Sequence, residues 1–426
     1  MSDSAQPGEQ ATLAMVENLA ETKTESLTLT VRCKVETSQR KRRLLRDRVD
    51  EWQEILAYAG EMMPSVDHWD WGANSRPINH LVNNKFSYPD EAEPDDRTST
   101  VPRHTAYQAG YKAGEAFSAW HERGRDGNNP RGDWGNGDFM RFCGCCHSSD
   151  NCFVAHGNGR YGIKIKHSTT GTYKPNEAEW LGIFAPSDYQ QEKLDGIASG
   201  EASMGAFEIR MGEPCYIHIP VKTDVEVYKV GSVNRWLGID LGEANVFAAV
   251  VIDDDSEVVS TDDGPQAHIE SGSEFRRYRN ELSAKGDALR EKGDLKGVRE
   301  SKGLRERYTD QKTHEYAVQI VELAKRNTPI EIVLEDLTGY RESAYDPIHD
   351  WPHSELAEKI VYKATQAGIP VKTDIDPAGT STTCPECGDS SPEKRMSRDE
   401  FYCRRCDHGP LNSDFVAAVN IARKRL

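Results

Sequence analysis

The 426-residue chain has no run of eighteen apolar residues, the length at which a segment becomes a candidate membrane-spanning helix. Its first twenty residues are polar and acidic, without the basic and apolar blocks of a secretory signal, so a cytoplasmic protein is expected. Positive charge is scarce as well: 53 Lys plus Arg stand against 70 Asp plus Glu, a formal charge of -17. Spread evenly, that balance would repel phosphates and argue against a nucleic-acid partner. It is not spread evenly. Acid gathers in the N-terminal tail, at 89–96 ("PDEAEPDD") and at 253–255, while base gathers at 40–48 ("RKRRLLRDR"), 276–279, 285–307 and 423–425. An acidic coat with local basic grooves suits a salt-rich cytoplasm, and a halophilic habitat is the expectation. No internal repeat of fixed period is visible. Ten cysteines are present without export signals, and four of them form two C-x-x-C pairs, which reads as metal binding rather than disulfides.

Residues 1–24 have too little apolar content to offset ordering entropy and read as a flexible tail. "SLTLTVRCKV" then alternates as a strand does. From Ser38, residues Leu45, Val49, Trp52, Leu56 and Ala59 recur at helical spacing, with Thr37 or Ser38 as cap. A second helical stretch covers 106–120, so 46–125 reads as a helical domain. Residues 25–45 and 126–235 read as a β domain into which those helices are inserted, with short strands such as "RYGIKIKH", "AFEIRM" and "CYIHIPV". From 236 to 426 the pattern is α/β: strands "WLGIDLG", "VFAAVVI", "IEIVLED" and "PVKTDID", the helix "SELAEKIVYKATQAG", and a charged helical hairpin at 274–325.

Along "LGIDLG", Leu237, Ile239 and Leu241 face one side, while Gly238, Asp240 and Gly242 face the other. A carboxylate between two glycines leaves room for metal ions and a sugar-phosphate backbone. Alone, such an Asp is more often a strand-end turn acceptor. In "PIEIVLEDL" the acids Glu331 and Glu335 share a face opposite Ile330, Ile332 and Leu334, and Glu335 emerges at the strand's end, with Asp336 as its rival. In "LNSDFVAAVNIARKRL", Asn412 or Ser413 can cap a helix that puts Asp414, Ala417, Ala418 and Ile421 on one face. Three acids from two strands and a helix can hold two hard divalent cations, Mg²⁺ or Mn²⁺, and so hydrolyse phosphodiesters. The rival reading of "GIDLGEAN", the first phosphate loop of an actin-like ATPase, needs a second Gly-rich phosphate loop and a Gly-Gly adenosine motif, and neither follows residue 260.

Cys384-x-x-Cys387 and Cys403-x-x-Cys406, fifteen residues apart, have the spacing of two knuckles that give four thiolates to one structural Zn²⁺. Lys394, Arg395, Arg398, Arg404 and Arg405 would give this ribbon, at 381–408, a basic surface. Cys143, Cys145, Cys146 and Cys152, with His147 and His156, match no common ligand pattern and read as reduced thiols on a hairpin.

The strings "LGIDLGEANVFAAVV", "THEYAVQIVELAKR", "IVLEDLTGYRES", "WPHSELAEKIVYKATQAGIPV", "DPAGTSTTCPECG" and "NSDFVAAVNIARK" occur in the order found in the TnpB family. The C-terminal half resembles that family of transposon-encoded RNA-guided DNA endonucleases, relatives of the single-protein type V CRISPR effectors. The resemblance implies a multidomain α+β chain: a ribonuclease H-like (RuvC) α/β nuclease domain at 236–426 with the inserted ribbon, and a β-barrel-like wedge domain interrupted by a helical recognition domain. It implies catalytic roles for Asp240, Glu335 and Asp414, choosing Glu335 over Asp336, and zinc ligation by Cys384, Cys387, Cys403 and Cys406. It also implies a guide RNA from the transposon end and cleavage of double-stranded DNA beside a short motif, in the nucleoid. The alternative within the resemblance is a cleavage-deficient RNA-guided repressor, which the presence of all three acids disfavours. With so acidic a chain, non-ionic contacts from Trp and Tyr at 52, 58, 69, 71, 107, 111 and 120 would have to supplement phosphate pairing.

Overall fold

The structure, a computed structural model, describes residues 21–65, 67, 76–86, 101, 103–122, 137–143, 152–166, 178–261, 264–336, 351–391, 396–397 and 399–425. The tail up to residue 20, the acidic run at 89–96, Trp69, Trp71, Cys145, Cys146, His147, Lys394, Arg395 and Arg398 lie outside them. No helix among the described residues is long and apolar enough to cross a membrane. Two compact units divide the chain, Thr28–Asp224 and the remainder, and the chain passes between them inside two long strands, β1 (Thr22–Glu36) and β8 (Tyr216–Tyr228).

In the unit Thr28–Asp224, strand alternation is visible in β1, where Leu27, Leu29, Val31, Cys33 and Val35 turn inward and their neighbours outward. Helix α1 (Gln39–Met62) starts where Ser38 accepts a hydrogen bond from the Lys41 amide, and it buries Leu45, Val49, Trp52, Leu56 and Ala59. Helices α2 (Arg76–Lys85) and α3 (Arg103–Glu122) follow. The strands β2 (Phe139–Phe142), β3 (Phe153–Gly157), β4 (Arg160–Lys166), β5 (Ala178–Phe184), β6 (Ser203–Met204) and β7 (Phe207–Arg210) join β1 and β8 in one sheet, ordered β2-β7-β8-β1-β5-β4-β3 with β6 against β8. Helices and sheet share a single core, in which Trp52, Ile78 and Phe117 meet Val31, Leu181 and Ile217.

Two features of this unit differ from the sequence reading. A helix, α4 (Asp188–Ser199), interrupts what reads as continuous short strands; Ser187 and Gln190 form a capping box and Gly200 ends the helix at φ +86°. Its apolar stripe is thin, with Leu194 the buried residue, so periodicity does not announce it. Cys143 and Cys152, read as reduced thiols, are both disulfide-bonded, because the fold and not the spacing decides which sulfurs come within reach.

The second unit carries a five-stranded sheet built from β9 (Arg235–Leu241), β10 (Asn245–Asp253), β13 (Ala267–Ser271), β14 (Ile330–Glu335) and β15 (Val371–Ile375); the short pair β11 (Ser260–Thr261) and β12 (Gly264–Pro265) lies beside it. The order is β13-β10-β9-β14-β15, with antiparallel pairing from β13 to β9 and parallel pairing from β9 to β15. One face is covered by α5 (Ser273–Glu291), α6 (Leu295–Lys325) and α7 (His353–Gln366), whose Phe275, Ile320 and Ile360 pack on Leu237, Ile239, Ile332 and Leu334. On the other face Ala418, Val419 and Ala422 of α8 (Ser413–Arg423) pack on Ala248, Val250 and Ile252. The hairpin β16 (Glu400–Cys403) and β17 (His408–Asn412) leads into α8. The mixed, multidomain α/β character expected from the sequence is the one observed, and the alternation along "LGIDLG" and "IEIVLE" sorts its side chains as read.

Candidate active site and metal centre

Ile239 of β9 pairs in parallel register with Leu334 of β14. One residue further along each strand come Asp240 and Glu335, so the two acids stand at the same level on neighbouring strands, which run about 4.8 Å apart. Since Ile239 and Leu334 turn toward α6 and α7, Asp240 and Glu335 turn toward α8. Asn412 caps α8, its side-chain oxygen accepting from the amides of Asp414 (2.9 Å) and Phe415 (3.1 Å). Asp414 lies one turn, about 5.4 Å, before Ala418, which rests on Gly238. Asp240 lies two residues, about 6.6 Å, beyond Gly238. Both displacements lead toward the β9–β10 turn, where Asn245 Nδ2 donates to Asp414 Oδ2 at 2.7 Å. All three sequence-selected acids therefore project toward one end of one face. They are spaced more widely than a closed ligand cluster: among the described residues, the group of potential ligands whose atoms all fall within 4.8 Å of one another is the cysteine set.

Burial raises the Glu335 carboxyl above its ordinary range, against a hydrogen bond from Thr380 and the charge of Lys424. Its Oε1 is buried with no hydrogen-bond partner. An anionic oxygen in that state costs free energy unless a cation meets it, so the donor set fits a hard divalent ion. The flanking glycines serve a different purpose from the one their sequence context suggests. A Cβ on Gly238 would sit 2.1 Å from the Ala418 carbonyl oxygen, and one on Gly242 would sit 2.9 Å from that of Asn245. The gap at Gly238 is filled by the backbone of α8, and that at Gly242 by the Asn245 carbonyl. Asn245, five residues after Asp240, was not singled out by sequence pattern, and its carboxamide is recognisable as a partner only from the fold.

The cysteines converge. Sγ of Cys384 lies 3.6 Å from Cys406, and Cys387 lies 3.7 Å from Cys403. A tetrahedron of roughly 2.3 Å Zn–S bonds has edges of about 3.8 Å, so four thiolates fit one Zn²⁺. Burial would raise the Cys403 thiol, but the amides of Cys406 and Arg405 outweigh it and bring the group down to about 6. At Cys384 burial wins and raises the thiol, although the amides of Cys387 and Glu386 act against it. The knuckles are tied to α8: Cys384, Phe401 and Cys403 pack on Val416 and Phe415, and Asn420 Nδ2 donates to the carbonyls of Thr380 and Thr383, each at 2.7 Å.

The basic clusters at 40–48 and 423–425 are largely engaged within the protein, whereas Lys285, Lys292, Arg299 and Arg307 of the cluster at 285–307 are exposed. Lys41 pairs with Glu179 (3.2 Å), Arg42 with Glu213 (3.2 Å), Arg46 with Asp138 and Arg48 with Glu51 (3.6 Å), while Arg40 and Arg43 are exposed. Arg423 donates to the carbonyls of Ser256 and Pro385, and Arg425 lies over the Trp236 ring at 3.6 Å. Of the aromatics considered for stacking, Trp52 is fully buried.

A chain solved as a Cas12f1–sgRNA–target DNA complex superposes with a TM-score of 0.59, covering 94% of this chain and 99% of that one at 14% identity. The fold is Cas12f1-like. The family described as Cas12f1-like, TNB domain, matches residues 353–421, the segment from α7 through the cysteine knuckles into α8. The CRISPR-associated endodeoxyribonuclease Cas12f1 of Sulfoacidibacillus thermotolerans is 28% identical over 246 residues, 54% of this chain and 55% of that protein. The Cas12f1 of Syntrophomonas palmitatica is 31% identical over 183 residues, 41% of this chain and 36% of that protein. The chain thus spans about half the length, or less, of these two relatives. The likeness falls among compact type V effectors, the group to which the sequence resemblance related the TnpB family.

Proposed function

We propose that this chain is an RNA-guided, divalent-metal-dependent DNA endonuclease with one structural zinc. The observation that carries the proposal is that Asp240 and Glu335 stand level on adjacent strands, with Asp414 on a helix seated against Gly238 on the same face of the sheet. The relatives' names and the Cas12f1-like fold support the same reading. Asp240, Glu335 and Asp414 would hold Mg²⁺ or Mn²⁺, two ions as the sequence reading has it. Bound divalent ions supply an activated water and charge stabilisation for a leaving oxygen. The chain's own part is to hold the ligands: two carboxylates on hydrogen-bonded strands cannot move apart, and the buried Glu335 oxygen has little other means of satisfaction.

Guide RNA and double-stranded DNA are the proposed partners, in the cytoplasm at the nucleoid. A transposon-end guide, as in the TnpB family, stands beside a CRISPR-array guide, which the relatives' names favour. Sequencing the RNA that co-purifies with the chain chooses between them. The activity itself is tested by plasmid cleavage with that RNA. Asp240→Ala should abolish cutting and leave RNA binding intact, and an Asp240→Ala protein that still cuts would refute the assignment. A wild-type chain that binds its target without cutting would make it a repressor.

A further inference from the structure

The carboxylate of Asp414 is steadied by a side chain from the opposite wall of the site. Asn245 opens β10 and pairs across to Ser271 of β13. The turn preceding it is gripped from that side: the Gly272 amide donates to Ala244 O at 2.8 Å, and a Cβ on Gly272 would meet Glu243 O at 2.5 Å. With its backbone fixed in this way, Asn245 presents Nδ2 to Asp414 Oδ2 at 2.7 Å, between residues 169 apart in the chain.

The chemistry of the donor matters. A carboxamide binds one carboxylate oxygen and orients the group without cancelling its charge, whereas a lysine there would compete with a cation for the carboxylate and an aspartate would repel the carboxylate. We propose that Asn245 is a positioning residue, fixing the Asp414 carboxylate for a divalent cation. This rests on reading Asp414 as a cation ligand. Partners that orient a metal ligand typically contribute about 10- to 100-fold in metal affinity or activity.

The test uses the full-length, zinc-loaded chain and Mn²⁺ as probe, with free Mn²⁺ followed by electron paramagnetic resonance and unfolding followed by circular dichroism. Asn245→Ala should bind Mn²⁺ about 10- to 100-fold more weakly with its melting point essentially unchanged. In cleavage assays it should need correspondingly more metal and recover at saturation. Asn245→Leu, close in size and without a donor or a charge, checks that the effect follows the lost donor and not a lost fold, and it should also bind Mn²⁺ more weakly than wild type. Wild-type Mn²⁺ affinity in Asn245→Ala would overturn the proposal, as would a deficit that tracks a fallen melting point and is absent from Asn245→Leu. Asp414→Ala separates the underlying reading: if it leaves Mn²⁺ binding and cleavage intact, Asp414 is not a ligand, and the three-acid reading of the site falls, whereas a wild-type chain that never cuts would overturn the nuclease assignment itself.

Discussion

Adding one methyl group at Gly238 tests how the site is assembled. The new Cβ would sit 2.1 Å from the Ala418 carbonyl oxygen, 2.7 Å from Ala422 Cβ and 2.8 Å from the Ala422 amide nitrogen. These are atoms of a helix backbone and its shortest side chain, so no rotamer change relieves them. Restoring an ordinary contact of 3.4 Å requires α8 to lift by about 1.3 Å from the strand. Overpacking of this kind costs about 1–3 kcal/mol, a fall in melting temperature of about 2–12 °C for a unit of this size. Because Asp414 rides on α8, it is lifted too, and a misplacement of about 1 Å at a reacting centre can cost on the order of 100-fold in rate. Gly238→Ala should therefore lose both stability and guide-dependent plasmid cleavage, measured by calorimetry and single-turnover kinetics. Gly231→Ala, where a Cβ meets nothing within 4 Å, is the control and should lose neither. A Gly238→Ala protein with wild-type melting and rate would refute the claim that α8 delivers Asp414 by direct contact with β9.

Three further outcomes are expected. Metal analysis should find one zinc per chain, and Cys403→Ala should lower the melting point and slow cleavage in a way that added Mg²⁺ does not restore, because Cys403 packs on Val416 of α8; full activity without zinc would contradict this. Burial holds His353 down at about 4, against the 6.5 of an exposed imidazole. The unfolded chain therefore takes up this proton first, and stability present above pH 6.5 is lost progressively as pH falls toward 4, by about 3 kcal/mol from this residue. Chemical denaturation of His353→Leu across that window should show a shallower acid loss than wild type, and an equal loss would remove His353 as the cause. With a formal charge of -17, the denaturation midpoint should rise in molar KCl as screening relieves self-repulsion, and a flat response would count against the high-salt habitat.

Much of this molecule is local and therefore readable in one dimension. Period-two alternation decides that Asp240 and Glu335 oppose the apolar residues of their strands, and 3.6-residue periodicity decides the buried stripe of α1. The C-x-x-C spacing brings each pair of sulfurs into a knuckle because so short a loop leaves few alternatives. Local pattern says nothing of what lies across a gap. Gly238 looks like space for a ligand and is space for Ala418; Asn245 draws no notice in the sequence and is a hydrogen-bond donor to a side chain 169 positions away. The basic run at 40–48 looks like a phosphate groove, yet several of its charges are spent on acids from distant strands and loops. Residue type and spacing determined which acids, thiols and faces this chain possesses. Which of them meet was decided by strand register and by the close seating of one helix, since pairings over long sequence separations depend on the packing of the whole unit and leave no mark on the residues beside them.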